Sequence, residues 1–224
     1  MQRIHAYDGS YDAARAAALS GVPISTVYDW ARKSLVVPSI APARPKLWSY
    51  ADLMALRIVA WLRHPKEGLD DSFPASHMGE VRSALARLGE HGLDLWQSDS
   101  SQPSPLLVDR RGHIYVAEAD NLVDSAGQQL LSGELLDLLA PFEGELFTGP
   151  DLRRPRPHLR IVPNKCAGEP HLCGSRTTTL TMSALASRGY HLGEICALYP
   201  EEDQTAIAEA IEFESSLDGA GRAA

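Results

Sequence analysis

The most reactive side chains of this sequence lie in its last third. Cys166, His171 and Cys173 fall within eight residues, and Cys196 could join them as a soft metal ligand. Their C-x4-H-x-C spacing matches no common zinc pattern, and such residues in a hairpin more often pack than bind metal. The sequence also contains no G-x-S-x-G, no H-E-x-x-H and no glycine-rich phosphate loop. We therefore predict no enzyme, no metal, no cofactor and no disulfide framework.

The cations that could bind phosphate are unevenly distributed. The chain has a net charge of -8, but residues 1–66 contain nine Lys or Arg and four Asp or Glu, a net charge of +5. Residues 67–152 have a net charge of -12, and residues 153–224 a net charge of -1. Because nucleic-acid binding needs a local positive field, the first segment is the predicted nucleic-acid-binding part.

The composition indicates a soluble globular protein. Apolar residues make up 44% and charged residues 22%, which argues against a largely disordered chain. No apolar run approaches the roughly 20 residues needed to span a bilayer. Residues 1–5 are not followed by the apolar stretch of a signal peptide. We expect a cytoplasmic protein with no membrane partner.

Two short predicted helices would position the N-terminal cations. Residues 11–20 are rich in alanine, the best helix former, and Gly21 follows as a natural C-cap. Residues 21–24 turn the chain, and we expect Ser25 to cap a second helix over residues 26–33. The apolar residues of that helix share one face: Val27, Trp30 and Ala31. Two helices joined by a tight glycine turn predict a helix-turn-helix.

A small wing and a third helix are predicted next. Residues 35–38 and 47–48 are typical of two short strands, separated by a proline-rich basic loop. We expect Ser49 to cap a helix whose apolar stripe ends near residues 64–65. The stripe consists of Leu53, Leu56, Val59, Ala60 and Leu62. Residues 1–65 therefore predict one compact DNA-binding domain.

The acidic central region, residues 66–148, is less clearly patterned. Residues 76–91 have helical spacing of apolar side chains. Residues 106–109 and 113–117 predict the two strands of a β-hairpin. Residues 128–139 predict another helix, or a strand leading into one.

The rest of the chain predicts a linker and a small C-terminal unit. Residues 149–158 are rich in proline and arginine, which favours a linker. Residues 159–217 would then hold two short strands and three helices. The strands are expected at 159–162 and 177–181, and the helices at 182–188, 193–198 and 201–217. Residues 218–224 predict a disordered tail.

The predicted fold class is α+β, mostly α. It combines an N-terminal winged helix-turn-helix, a central α/β segment and a C-terminal short hairpin plus three-helix unit.

Four short motifs follow one another between residues 21 and 53. They are Gly21-Val22, Thr26-Val27-Tyr28-x-Trp30, Leu35-Val36-x-Pro38 and Trp48-Ser49-x-x-Asp52-Leu53. Their order and spacing resemble the DNA-binding domain of the MerR-like winged-helix family. The resemblance implies that the second helix enters the major groove and that the wing lies along the DNA backbone. The long dimerisation helix of ordinary MerR-like regulators is not predicted, because the helix from residue 76 stops at Gly92.

This resemblance and the side-chain chemistry give seven candidate DNA-binding residues: Ser25, Thr26, Tyr28, Arg32, Lys33, Arg44 and Lys46. Ser25 and Thr26 can donate hydroxyl and amide hydrogen bonds to phosphates or base edges, and Tyr28 matches a backbone-contacting position of the family. The four cations either neutralise phosphates or are solvated surface charges. Two residues depart from the family pattern: Asp29 stands where a polar or basic residue is frequent, and Ser34 replaces a common glycine.

A second set of motifs begins at residue 168. It comprises Gly168-x-Pro170-x-Leu172-x-Gly174-Ser175-Arg176, then Gly189-x-x-x-x-Glu194-Ile195, then Tyr199-Pro200. The set resembles a small bacterial domain of unassigned function, with the pattern G-x-P-x-I-x-G-T-R, that is common among antitoxins; Ser175 replaces the usual threonine. Gly168 and Gly174 permit a tight hairpin, and Arg176 offers a planar donor fork.

Together the two resemblances imply a VapB-like antitoxin of a type II toxin–antitoxin pair. Such a protein neutralises a cognate PIN-domain ribonuclease toxin and, as a homodimer, represses the shared operon at its operator DNA. The acidic central region either faces a basic surface of the toxin or is a solvated scaffold. The main alternative is a MerR-like transcriptional regulator with a ligand-sensing central region and no toxin partner.

Four arginines are the candidate toxin-binding residues: Arg153, Arg154, Arg156 and Arg176. An arginine run could enter the carboxylate-lined metal site of a PIN-domain toxin and replace its metal ions. The other interpretation of the first three is a plain soluble linker.

Overall fold

Helices dominate both ends of the described chain. The computed structural model describes residues 9–63, 106–108, 114–118, 121–124, 136–137, 141–143 and 148–222. Within these ranges the fold mixes helix and sheet, with six α-helices and eight short β-strands. The predicted mixture of helix and sheet is confirmed at this level. The predicted helix over residues 76–91 lies outside the described residues.

The first helix, α1, spans Ala13–Ser20 and has a cap at each end. At its start, the Asp12 carboxylate accepts a hydrogen bond from the Arg15 backbone N–H at 2.8 Å. At its end, Gly21 takes a left-handed φ of 74°, and its N–H donates to the Ala17 carbonyl at 2.9 Å. Glycine adopts this conformation without a Cβ penalty, so the predicted C-cap is confirmed.

The second helix, α2, spans Ile24–Arg32 and starts earlier than expected. Pro23 occupies the N-cap position and makes no side-chain capping hydrogen bond. The prediction that Ser25 caps this helix is wrong, because Ser25 already lies in its first turn. Proline sets a backbone φ that suits a helix start, so the first helical residue is Ile24, one residue before Ser25.

The segment after α2 pairs differently from the predicted wing. Residues 35–38 were expected to pair with residues 47–48, but Leu47 forms its bridge with Ala41 and Trp48 forms its bridge with Tyr11. The two backbone hydrogen bonds between Tyr11 and Trp48 are both 2.9 Å. Pairing through residues 35–38 is disfavoured because Pro38 has no N–H to donate to a ladder.

The third helix, α3, spans Tyr50–Arg63 and is capped by Ser49, as predicted. The Asp52 N–H donates to the Ser49 hydroxyl at 3.2 Å, and the Ser49 N–H donates to the Asp52 carboxylate at 2.8 Å. This reciprocal pair is a capping box. Four residues of the predicted apolar stripe are buried: Leu53, Leu56, Val59 and Ala60. The side chain of Leu62 lies outside the described part.

The central region contains a four-stranded antiparallel sheet in the order β3-β2-β1-β4. Its strands are β1 Leu106–Val108, β2 Ile114–Glu118, β3 Asn121–Asp124 and β4 Leu136–Asp137. β1 and β2 lie where strands are predicted, and Leu107 pairs with Tyr115, both with buried side chains. Of residues 128–139, those in β4 form a strand and the others lie outside the described ranges. A separate pair joins β5 Phe142–Glu143 to β6 Thr148–Gly149.

The C-terminal unit consists of a two-stranded sheet and three helices. Its elements are β7 Leu159–Arg160, β8 His171–Leu172, α4 Thr179–Ser187, α5 Leu192–Leu198 and α6 Gln204–Arg222. The strand predicted at 177–181 is reduced to a single antiparallel bridge between Thr178 and His171, because the Thr178 hydroxyl accepts from the Thr181 N–H and caps α4. A threonine hydroxyl at an N-cap outweighs the β propensity of the run. α6 also continues to Arg222, so residues 218–222 are helical where a disordered tail was predicted.

The N-terminal helices and the C-terminal unit share one hydrophobic core. We call the boundary between these two parts the seam. Four hydrogen bonds cross it, and in each a backbone carbonyl of the C-terminal half is the acceptor. The donors are the Ser10 N–H to Ala167 at 2.9 Å, Tyr11 Oη to Gly168 at 2.7 Å, Tyr50 Oη to Leu152 at 2.7 Å, and the Arg57 guanidinium to Pro150. Leu152 and Pro155 are buried. The segment 149–158 was predicted as a linker, but it packs against the rest of the fold. The burial of its apolar side chains in the hydrophobic core stabilises this arrangement.

Candidate nucleic-acid interface

The outward face of α2 collects polar and cationic side chains. The buried face consists of Val27, Trp30 and Ala31. Residues three and four apart share a helix face, so the opposite side presents Ser25, Tyr28 and Arg32, all of which are exposed. Thr26 lies at the border and is half-buried. The predicted residues of the second helix are thus brought to one surface, with Thr26 at its edge.

Asp29 pairs with both cations of this surface. One carboxylate oxygen contacts the Arg32 guanidinium, and the other lies 2.8 Å from Lys33 Nζ. The hydrogen bond from the Lys33 ammonium, with the Arg32 guanidinium beside it, holds the pKa of Asp29 below its usual value. The side chains of Arg32 and Lys33 are 79% and 61% exposed. Surface ion pairs contribute little free energy, so both cations can exchange Asp29 for a phosphate.

Tyr28 is half exposed and rests on the buried Trp48. The two rings meet edge to face, with centroids 6.2 Å apart and an interplanar angle of 76°. Trp48 is fully buried and is fixed by its backbone bridge to Tyr11. The core therefore positions the Tyr28 ring while 49% of the residue stays open to solvent.

Arg44 and Lys46 lie in the loop that precedes α3. Arg44 is exposed and Lys46 is half-buried. The start of this loop is tied to α3, because the Ser39 N–H and the Ser39 hydroxyl each contact the Asp52 carboxylate at 2.8 Å. Burial raises the pKa of Asp52, and the hydrogen bonds from Ser39 and Ser49 oppose that rise. The two loop cations are thus carried on a segment with a fixed anchor.

Arg15 joins α1 to the C-terminal unit through a buried charge cluster that the sequence did not predict. Its Nη1 and Nη2 donate to the two oxygens of Glu214 at 2.7 and 2.8 Å, and its Nε donates to Glu169 at 2.8 Å. The Thr179 hydroxyl also donates to Glu214. The partners lie 154 and 199 positions from Arg15, so no local pattern could pair them. One feature of the sequence could have indicated a structural role for this residue: Arg15 is the one charged residue of α1.

The four candidate toxin-binding arginines have different surroundings. The Arg156 guanidinium carbon lies 5.7 Å from the ring centroid of Phe213 on α6, within cation–π range. Arg153 and Arg156 are half-buried, whereas Arg154 and Arg176 are exposed. Arg156 therefore packs partly against Phe213. Arg154 and Arg176 are the two arginines more accessible to a partner.

The reactive residues of the last third are spread over the C-terminal unit. Cys173 is exposed, and the Cys166 thiol lies 3.4 Å from the carbonyl of Arg176. The His171 ring contacts the Glu169 carbonyl at 3.0 Å, and burial lowers its pKa. Among the residues that the structure describes, no three His, Cys, Asp or Glu side chains are grouped to hold a metal ion.

No protein-family model, curated protein or solved structure matches this chain. In the described part of the chain, no helix combines the length and apolarity required to cross a membrane. Of the surfaces described above, the outward face of α2 carries the densest set of groups that can bind a nucleic acid.

Proposed function

We propose that the chain binds duplex DNA through α2, as a winged helix-turn-helix. The observation that carries this proposal is the division of α2 into a buried apolar face and an exposed face with Ser25, Tyr28 and Arg32. A helix of this kind fits the major groove, where hydroxyl and cationic side chains reach base edges and phosphates. Lys33 extends the cationic part of the surface at the helix end.

The backbone after α2 supports the resemblance to the MerR-like family. Ser34 has a left-handed φ of 55°, the conformation that glycine favours, and the family commonly has glycine at this position. Arg44 and Lys46 in the following loop would contact phosphates beside the groove. One small domain makes few contacts, so we propose that a homodimer binds a two-fold operator.

We further propose that the chain is the antitoxin of a type II pair and represses its own operon. Support comes from the resemblance of the C-terminal unit to a domain that is common among antitoxins. Its proposed partner is a PIN-domain ribonuclease, whose carboxylate-lined site suits exposed arginines such as Arg154 and Arg176. In this proposal the chain catalyses no reaction and acts in the cytoplasm.

The antitoxin role is tested by co-expression with the product of the adjacent reading frame. We expect the two proteins to co-purify, and the ribonuclease activity of the partner to be inhibited by the full chain. The double change Arg154→Gln and Arg176→Gln should weaken inhibition if these side chains enter the toxin. Failure to inhibit any neighbouring ribonuclease would remove the antitoxin role and leave DNA binding to be judged on its own.

The four-stranded sheet of the central region favours a second candidate. A paired sheet with buried Leu107 and Tyr115 indicates a folded unit, and such a unit could bind a small ligand that controls transcription. The chain would then be a MerR-like regulator without a toxin. A small molecule that alters DNA binding, together with no co-purifying ribonuclease, would favour this second function.

A further inference from the structure

We propose that Asp29 determines sequence specificity when α2 binds DNA. In the free protein its carboxylate holds Arg32 and Lys33; in the complex it accepts a hydrogen bond from an exocyclic amino group of a base, N4 of cytosine or N6 of adenine. This inference rests on the proposed DNA-binding function, and it names the chemical feature that the surface reads.

The position of Asp29 on α2 supports this role. A helix turns by about 100° per residue, so Asp29 lies one turn beyond Ser25 and beside Arg32 on the same side. Val27 and Ala31 are on the opposite, buried side. Asp29 is therefore central in the face that would meet the major groove.

The ion pairs of Asp29 give it a first effect, on affinity. Each carboxylate oxygen contacts one cation, so two cations and one anion share the end of the helix. A phosphate must compete with Asp29 for Arg32 and Lys33, and the carboxylate repels phosphates that approach without freeing it. Both contributions weaken binding to any duplex, whatever its sequence.

The second effect is on the choice of base. When Arg32 and Lys33 turn to phosphates, the carboxylate loses its partners and needs a hydrogen-bond donor. In the major groove only the amino groups of cytosine and adenine donate, while guanine and thymine edges offer acceptors to this position. A base pair that presents an amino group to Asp29 is thus favoured, and one that presents only acceptors is rejected.

The test uses the full chain with Asp29→Asn, Asp29→Ala and a charge-matched control, Asp12→Asn. Asp12 is exposed at the start of α1, and asparagine caps a helix as well as aspartate does. Each protein is used to select binding sites from a library of duplexes with randomised bases. Each is also titrated with one random-sequence duplex at several salt concentrations, and thermal unfolding checks that all variants are folded.

We expect the wild type to select sites with cytosine or adenine at one position of each half-site. Asp29→Ala should lose that preference, and Asp29→Asn, whose amide can also donate, should change it. Both Asp29 variants should bind the random duplex about threefold to tenfold more tightly, with a salt slope steeper by about one. Asp12→Asn should select and bind like the wild type.

Three results would overturn the inference. If the Asp29 variants select the same sites as the wild type, Asp29 reads no base, although DNA binding by α2 stands. If Asp12→Asn tightens binding to the random duplex as much as Asp29→Asn does, only total charge matters. If the wild type selects no sequence and binds no duplex, both this inference and the proposed function are removed.

Discussion

The charge cluster on α2 and the one between α1 and α6 use the same kinds of side chain in opposite surroundings. At Asp29 the two cations are 79% and 61% exposed, whereas Arg15 and Glu214 are only 11% and 5% exposed. An exposed ion pair is weak, so its members can take other partners. A buried one cannot lose a member without leaving an uncompensated charge. The first cluster is therefore suited to binding, and the second to holding the two ends of the chain together.

The largest difference between the clusters should appear when one cation is removed from each. Arg15→Ala leaves Glu169 and Glu214 buried without their guanidinium, and we expect a loss of about 3 to 5 kcal/mol in the free energy of unfolding. Arg32→Ala should change that free energy by less than about 0.5 kcal/mol. Denaturant unfolding of both variants measures the difference. Equal losses would contradict the assignment of separate roles to the two clusters.

Two glycine substitutions test the contact between the N-terminal helices and the C-terminal unit without changing the charge of the protein. A Cβ at Gly168 would lie 2.1 Å from the hydroxyl oxygen of Tyr11, whereas a Cβ at Gly174 would meet nothing within 4 Å. Both glycines have a left-handed φ, so alanine costs about 1 kcal/mol of backbone strain at either position. Gly168→Ala should lose about 2 kcal/mol more than Gly174→Ala because of overpacking.

Thermal or denaturant unfolding of the two glycine variants provides the comparison. Equal losses of stability would show that Tyr11 and Gly168 are not in close contact.

The pH dependence of stability should have opposite signs at the two clusters. Burial raises the pKa of Glu169 above its ordinary value of 4.5, although Arg15 opposes the rise. The stability of the wild type relative to Glu169→Gln should therefore fall as pH rises above 4.5, through the raised pKa. The hydrogen bond from Lys33 lowers the pKa of Asp29 below 3.8, so the wild type relative to Asp29→Asn should lose stability as pH falls below that value.

Urea unfolding of the wild type and both variants over a pH series measures these two differences. The same sign at both positions would show that burial does not distinguish the clusters.

The smallest expected effect concerns the loop cations. Arg44 is exposed and no ion pair of the described residues includes it, so Arg44→Gln should leave stability within about 0.5 kcal/mol of the wild type. If Arg44 contacts a phosphate, the salt slope of duplex binding should fall by about one. An unchanged slope would exclude Arg44 from the DNA-binding surface.

Local signals in the sequence predicted the N-terminal helices well. Gly21 and the pair of Ser49 and Asp52 act within four residues, so their caps are visible without the rest of the fold. The cap of α2 was misplaced because Pro23 and Ser25 both suit a helix start, and only the backbone decides between them. The predicted strand at 177–181 failed for a similar reason, since threonine favours both strands and N-caps.

Contacts between residues far apart in the chain could not be predicted from the sequence. The bridge between Tyr11 and Trp48 and the contacts of Arg15 depend on how the ends of the chain meet, which periodicity does not encode. The candidate site was predicted as seven residues of the second helix and the wing loop. Its ion pairs were not predicted, although Asp29 stands three and four residues before Arg32 and Lys33, the spacing at which side chains of a helix meet.

DNA binding by the outward face of α2 is the central proposal for this protein. The direct test is the affinity of the full chain for duplex DNA from its own upstream region, measured against salt for the wild type and for the double variant Arg32→Gln and Lys33→Gln. We predict a steep loss of affinity with salt in the wild type, and in the double variant at least tenfold weaker binding with a slope lower by about two. Equal affinity and equal slope in the two folded proteins would contradict it.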